Sequence, residues 1–290
     1  MTSDRGPLTA ERQVRVNGVG LCTESFGDPA DPPILLVMGL GGSMLWWPEE
    51  FCRLLVEHGR FVIRYDQRDT GRSTTYEPGH PGYTGSDLRA DAVALLDAYG
   101  LPAAHFVGVS SGGALVQLLS LDDPSRVLSL VLISTSAAVP VERSLPGPSA
   151  ALTEFASSAT VDWSEEGSVI EYVVAYARVL AGEERGFDEA EARDLVRRDV
   201  GRARDFAAVQ NHDLIADGDR PPGPLSSIEA PTLVIHGTAD PMFPLAHGKA
   251  LVAEIPSARL LPLEGAGHGV QTADWETITR AIAMHTASDS

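Results

Sequence analysis

Residues 105 to 114 read HFVGVSSGGA, an apolar run that breaks into a serine pair walled in by glycines. Ser110 stands at the centre of Gly108-Val109-Ser110-Ser111-Gly112, a G-x-S-x-G pattern at the end of an expected strand and the start of an expected helix. A sharp turn at that place needs small neighbours and lifts the serine hydroxyl above the sheet. A hydroxyl is a poor nucleophile at neutral pH, so a base must take its proton and a third group must orient the base. Asp240 in HGTADP and His268 in EGAGHGV follow two later apolar runs and offer both, in the chain order serine, acid, histidine. Singly, Asp240 reads as a turn former before Pro241 and His268 as a loop residue; their joint placement reads as a catalytic triad. Of the other histidines, His58, His105 and His236 fall within or beside regular elements, His80 lacks a partner and His285 lies in the tail. His212 and His247 are kept as candidates for lining the pocket.

Attack on a carbonyl creates an oxyanion, which needs hydrogen-bond donors already in place. The backbone N–H of Ser111, directly after the nucleophile, is one candidate. The other comes from MGLGGS at residues 38 to 43, where Leu40 N–H is best placed and the glycines allow close approach. The same G-L-G-G run does not complete a dinucleotide loop, because Met44 takes the third glycine position of G-x-G-x-x-G. Trp46 and Trp47 follow the loop, and at least one is expected to face the cavity.

These groups must be held by a scaffold, and the apolar runs supply it. ILLVM (34 to 38), FVIRY (61 to 65), HFVGV (105 to 109), VLSLVLI (127 to 133), PTLVIHG (231 to 237) and RLLPL (259 to 263) have the length and content of strands buried on both faces. SDLRADAVALLDAYG (86 to 100) and GGALVQLLSLD (112 to 122) carry apolar residues at helical spacing between them. RQVRVNGVGLCTESFGD reads as two strands around an Asn17-Gly18 turn. The fold class expected is therefore α/β: a mostly parallel, doubly wound sheet with an N-terminal antiparallel edge. In such a sheet ligands sit beyond the carboxyl ends of the strands, so Leu40, Asp66, Ser110, Asp240 and His268 converge on one rim although far apart in sequence.

From about 141 to 224 the rhythm breaks. SVIEYVVAYARVL and EAEARDLVRRDVGRARDFAAV are helical patterns without a clear strand, bounded by VERSLPGPS and DGDRPPGP. This divides the chain into a core of residues 1–140 and 225–290 and a helical cap over 141–224. Tyr172, Tyr176 and Phe206 lie on the apolar patterns of the cap and, with Trp46 and Trp47, are the expected substrate-binding residues. Arg193, Arg197, Arg198, Arg202 and Arg204 alternate with acids and read as a solvated helix face. Asp66, Arg68 and Asp69 read as ion-paired turn residues that organise the rim, with a catalytic part as the alternative and Asp66 the next candidate for the acid after Asp240.

At 290 residues the chain can bury a substantial core without disulfides, and Cys22 and Cys52 have neither metal-ligand nor redox spacing. A net charge of -18 disfavours nucleic-acid and anionic membrane partners. The opening MTSDRGPLTAERQ has no basic and apolar leader pattern, and no run of eighteen apolar residues occurs, so a soluble cytoplasmic protein is expected, a homo-oligomer being compatible with it.

The pattern as a whole resembles the α/β-hydrolase superfamily, and YDQRDTGRST (65 to 74) with LLVMGLGG, WWPEEF and HGTADP resembles the anthracycline methylesterases within it. The likeness covers residues 20 to 136 and 229 to 269 and is weak in the insertion. It implies Ser110 as nucleophile, Asp240 as acid, His268 as base, and backbone oxyanion donors at Leu40 and Ser111. It further implies an ester hydrolase without metal or organic cofactor, acting on a methyl or related ester of a bulky aromatic polyketide. Two positions depart from it: Met38 replaces the superfamily's usual histidine, as in methylesterase relatives, and Ser111 replaces the methionine common there. Lactonase, carbon–carbon bond hydrolase, perhydrolase, and a nonhydrolytic receptor or rearrangement protein retaining the triad are the alternatives. Haloalkane dehalogenases and epoxide hydrolases use Asp at the nucleophile position.

Overall fold

The computed structural model describes residues 10–216 and 223–287. The leader reading at residues 1–9 and most of the DGDRPPGP boundary lie outside the described residues. The chain begins with β1 (Arg12–Val16) and β2 (Val19–Phe26), antiparallel with Val16 opposite Val19. Asn17 and Gly18, at φ 48° and 79°, make the tight turn between them; Asn and Gly accept such angles at low cost. The parallel part comprises β3 (Pro33–Val37), β4 (Phe61–Tyr65), β5 (Ala104–Val109), β6 (Val127–Ile133), β7 (Thr232–Gly237) and β8 (Ala258–Leu263). The eight strands lie in the order β1-β2-β4-β3-β5-β6-β7-β8, with β2 also antiparallel to β4.

This order has a consequence for the site. From β3 the chain crosses to β4 on one side, then returns to β5 on the other side of β3. A crevice opens where neighbouring crossovers diverge, beyond the strand ends of β3 and β5. The glycine-rich loop leaves β3 and the serine pair leaves β5 at that point.

Alternate residues of each central strand feed two apolar layers, since successive side chains point to opposite faces. Leu35, Val37, Ile63 and Phe106 pack with α2 (Gly85–Ala98) and α3 (Ser111–Asp122), while Ile34, Leu36, Val62 and Val107 pack with α1 (Glu49–Glu57). Thr84 caps α2 in a reciprocal capping box with Asp87. Between β6 and β7 run α4 (Ala150–Ser158), α5 (Glu166–Ala181) and α6 (Glu189–Arg202), with no strand among the described residues. After β7 come α7 (Ala246–Glu254), on the α2 and α3 side through Leu251, and α8 (Trp275–His285), on the α1 side through Ile278 and Ile282. Among the described residues no helix is long and apolar enough to cross a membrane.

The sequence pattern carried one helix through to residue 209, but α6 ends at Arg202. Ala203 is extended, Arg204 N–H donates to Gly71 C=O at 2.9 Å, and Asp205 caps a separate 3-10 helix, Phe206–Asp213. Docking on the rim thus outweighs helical continuity. The arginine face is likewise corrected at Arg202: its guanidinium is buried and pairs with Asp66 at 2.8 Å and Glu11 at 2.7 Å, because the inner side of α6 lies on charged rim residues.

Candidate active site

Ser110 has φ 55° and ψ −124°, a conformation that a non-glycine residue adopts only under constraint, at a cost of about 1–3 kcal/mol. The constraint is local. A Cβ on Gly112 would stand 2.5 Å from Val37 O, and one on Gly108 would collide with the Gly112 carbonyl, so both flanking glycines are demanded by close approach. Thr135 Oγ1, just past β6, donates to Ser110 C=O at 2.6 Å and ties down the turn. Ser111 is the first residue of α3, so its N–H has no partner within the helix.

Asp240 follows β7 and is 4 % exposed. Its Oδ1 accepts the N–H groups of Met242 and Phe243, each at 2.9 Å, which fixes the carboxylate. His268 Nδ1 lies 2.9 Å from Oδ2 and 3.1 Å from Oδ1. Burial alone would raise the Asp240 pKa, but the hydrogen bond and charge interaction with His268 outweigh it and hold the carboxyl below its ordinary range. The His268 loop is held from two sides: its N–H donates to Leu180 C=O at the end of α5 at 2.8 Å, and Gly269 N–H donates to Ser134 Oγ at 3.1 Å. Ser134 itself has φ 45°. No hydrogen bond joins Ser110 Oγ to His268 among the described residues; catalytic contacts of this kind commonly tighten only when substrate closes the site.

After β3, Gly42 N–H closes a turn onto Gly39 C=O at 3.2 Å. Leu40 stands at its tip, 49 % exposed, and lines a cavity of about 210 Å3 together with Ser111, Leu88, Leu115, Leu118 and His212. The two expected oxyanion donors therefore border one mostly apolar space. The rim loop after β4 supports this turn: Gln67 donates to Met38 C=O at 2.7 Å, and Asp66 Oδ1 accepts Met44 N–H at 2.9 Å. Arg68 pairs with Asp91 through bonds of 2.7 and 2.8 Å.

The expected substrate-binding residues separate into four groups. Trp47 is corrected: fully buried, it packs on Phe51 at 5.5 Å in the layer beneath the sheet, where its ring fills core and touches no open cavity. Trp46 turns the other way. Its indole donates to Asp199 of α6 at 2.7 Å and packs with Ile170, Val174 and Val196, joining the rim to α5 and α6. Burial pushes the Asp199 carboxyl up to about 6, and nearby Asp66 adds to the rise. Tyr172 and Tyr176 of α5 pack against Phe155 of α4 at 5.5 and 5.6 Å, forming a half-buried aromatic cluster. Phe206 opens the 3-10 helix that lies over the glycine-rich turn.

Sequence reasoning passed over the hydroxyl run Ser134-Thr135-Ser136. Ser134 holds the His268 loop, Thr135 holds the elbow, and Ser136 Oγ pairs with His247 Nδ1 at 2.7 Å. Its place at the carboxyl end of an apolar strand was the available signal. His247 also bonds Pro146 C=O at 2.9 Å and so ties the start of the insertion to the core, away from the 210 Å3 cavity.

Residues 32–272 match the family model described as alpha/beta hydrolase fold. Rhodomycin D methylesterases of Streptomyces sp. (strain C5) and Streptomyces peucetius are each 36% identical over 293 residues, covering 95% of this chain and 97% of theirs. A solved 2-hydroxy-6-oxo-6-phenylhexa-2,4-dienoate hydrolase from Rhodococcus sp. strain RHA1 superposes with a TM-score of 0.75 at 20% identity, covering 96% of this chain and 99% of that one.

Proposed function

From the premise that the chain belongs to the alpha/beta hydrolase fold family and is a carboxylic ester hydrolase, we propose that it cleaves its ester through a serine acyl-enzyme. The observation that carries this reading is the Asp240–His268 pair, at 2.9 Å, on the same rim as a serine held at φ 55°. His268 Nε2 takes the Ser110 hydroxyl proton as Oγ attacks the ester carbonyl. The tetrahedral oxyanion accepts the N–H groups of Leu40 and Ser111, each such donor contributing about 2.7–4 kcal/mol to the barrier reduction. The carbon–oxygen bond to the alcohol breaks, and the alkoxide leaves with the proton from His268. Water then gives up a proton to His268 as it attacks the acyl carbon, and on collapse the bond from that carbon to Ser110 Oγ breaks, Oγ takes the proton back from His268, and the acid is released. Neither metal nor organic cofactor enters any step.

The substrate reading is a methyl or related ester of a bulky polyketide-like molecule, supported by the kinship with rhodomycin D methylesterases over most of the chain. Residues 141–224 act as a cap over the core formed by 1–140 and 225–290. Within the cap, Tyr172, Tyr176 and Phe206 supply aromatic surface suited to a polycyclic acyl group. Trp46 shapes that wall from the rim. The setting is cytoplasmic, in keeping with two buried free thiols.

Since the rim chemistry is generic to acyl transfer, discrimination among esters falls to the cap. Exchanging residues 141–224 for those of an esterase with a small substrate is expected to lower kcat/KM for a polycyclic aromatic methyl ester by about 100-fold relative to a small methyl ester, a size set by the apolar ring surface that a smaller cap leaves in water. Reaction with a small phosphonate should change far less. A folded chimera that keeps the parent's preference contradicts the reading and moves specificity to Trp46 and Ser111.

A further inference from the structure

The 3-10 helix Phe206–Asp213 sends one polar ring into the glycine-rich turn. Gly41, at φ 72°, donates its N–H to His212 Nδ1 at 3.0 Å, while His212 Nε2 lies 2.8 Å from Arg68 C=O. A carbonyl only accepts, so Nε2 carries the proton, and Nδ1 is left with the lone pair that Gly41 N–H needs. The ring is therefore a neutral bridge with both nitrogens committed. It is 7 % exposed and borders the same 210 Å3 cavity as Leu40 and Ser111.

The bridge is anchored at its far side. Neighbouring Asn211 donates to Asp69 Oδ2 at 3.0 Å and accepts Gly79 N–H at 2.7 Å, and the Tyr83 ring stands edge-on to His212 at 6.5 Å. Val209 of the same helix closes over Gly41, 3.5 Å from where a Cβ would stand. Gly41 N–H belongs to the peptide that follows Leu40. Holding that peptide plane, in a turn already closed by Gly42 onto Gly39, leaves Leu40 N–H little freedom to swing away from a developing oxyanion.

We propose that His212 is a positioning residue through which the segment above the core sets the Leu40 arm of the oxyanion hole. The inference rests on the serine-esterase reading and deepens it: the segment that walls the substrate also tunes transition-state stabilisation. Charged or titratable neighbours are Asp69 and Arg68 from the rim loop, Tyr83 ahead of α2, Asp213 on its own helix and Arg89 across the cavity. Asp69 is occupied by Tyr83 and Asn211, Arg68 by Asp91, and Arg89 by Asp122. Burial lowers the His212 pKa, so the neutral bridge persists at neutral pH and opens only on acidification.

The test compares His212→Leu, which removes the acceptor, with His212→Asn, whose Oδ1 can stand near the position of Nδ1. Both are assayed with a small p-nitrophenyl ester and a trifluoromethyl ketone, which Ser110 converts to a hemiketal with its oxyanion in the hole. His212→Leu is expected to lose about 10–100-fold in kcat with KM within about threefold, less than the loss of a whole donor. Affinity for the ketone should fall in parallel, and His212→Asn should recover most of both. Equal impairment of the two variants, or a Leu variant with ketone affinity intact, overturns the proposal. If His212→Leu fails to fold, His212→Gln takes its place, since its longer side chain favours Arg68 over Gly41; Asn must then exceed Gln in kcat and ketone affinity, and equality refutes the role. Phosphonate labelling of each variant keeps the two readings apart: an unlabelled wild-type Ser110 defeats the serine-esterase reading, whereas a labelled enzyme indifferent to position 212 defeats only this one.

Discussion

Replacement of Ser110 by alanine is expected to reduce ester turnover by about six orders of magnitude, the scale on which a serine protease responds to loss of its nucleophile. Folding should survive. Alanine removes one oxygen, fits where serine fits, and meets the same backbone penalty at φ 55°, which is already borne by Thr135, Gly108 and Gly112 around the elbow. The cooperative unfolding transition of Ser110→Ala should therefore lie close to that of the parent. Ser111→Ala provides the contrast: its proposed part in the oxyanion hole is a backbone N–H, so most activity should remain. Steady-state rates on a p-nitrophenyl ester, with thermal unfolding in parallel, measure both. A Ser110→Ala protein retaining more than about 1% of parental kcat would remove the nucleophile from this position, since such a residual rate corresponds to less than about 3 kcal/mol of lost stabilisation.

Asp240→Asn is expected to cost about four orders of magnitude in kcat, by analogy with the same change in a serine protease, where the wrong imidazole tautomer results. The carboxylate here is fixed by two N–H groups and faces His268 with both oxygens, so it orders the ring and, in the proposed mechanism, supports the imidazolium formed during attack. An amide of the same size presents an N–H where an acceptor is needed. The pH dependence follows from the lowered pKa of Asp240. A carboxyl whose folded-state pKa lies below its unfolded value contributes stability above the unfolded value and loses it as pH falls through the folded one. The Asp240 contribution is thus complete at neutral pH and disappears only in acid. A loss smaller than tenfold would assign the acid elsewhere. Asp66, the next carboxylate on the rim, is already held by Arg202, Met44 N–H and Arg72 N–H, and no described bond links it to His268.

The core was readable because its strands are short, apolar on both faces and separated by helical spacing; FVIRY and VLSLVLI coincide with β4 and β6 residue for residue. Chain order then placed Ser110, Asp240 and His268 at strand ends, and the sheet brings those ends to one rim. What escaped depends on tertiary contact rather than period. Ser134 and Thr135 look like any polar strand end until the sheet sets them beside the His268 loop and the elbow. Trp46 and Trp47 are adjacent and alike in sequence, yet one faces α6 and the other the core under α1. Arg202 shares its charge pattern with exposed arginines, and only the docking of α6 on Asp66 and Glu11 distinguishes it. His212, a candidate for lining the pocket, does border the 210 Å3 cavity, but no motif announced its bond to Gly41 N–H, 171 positions away.

Ser110 as nucleophile is tested most directly by a fluorophosphonate, which a serine oxygen attacks at phosphorus with expulsion of fluoride only when a base activates it. After stoichiometric inactivation, proteolysis and fragmentation of the peptide containing HFVGVSSGGA should place one phosphonyl group on Ser110, with fragment masses separating it from Ser111, and none should form in Asp240→Asn on the same timescale. An adduct on Ser111, or inactivation without an adduct on either serine, would contradict the assignment.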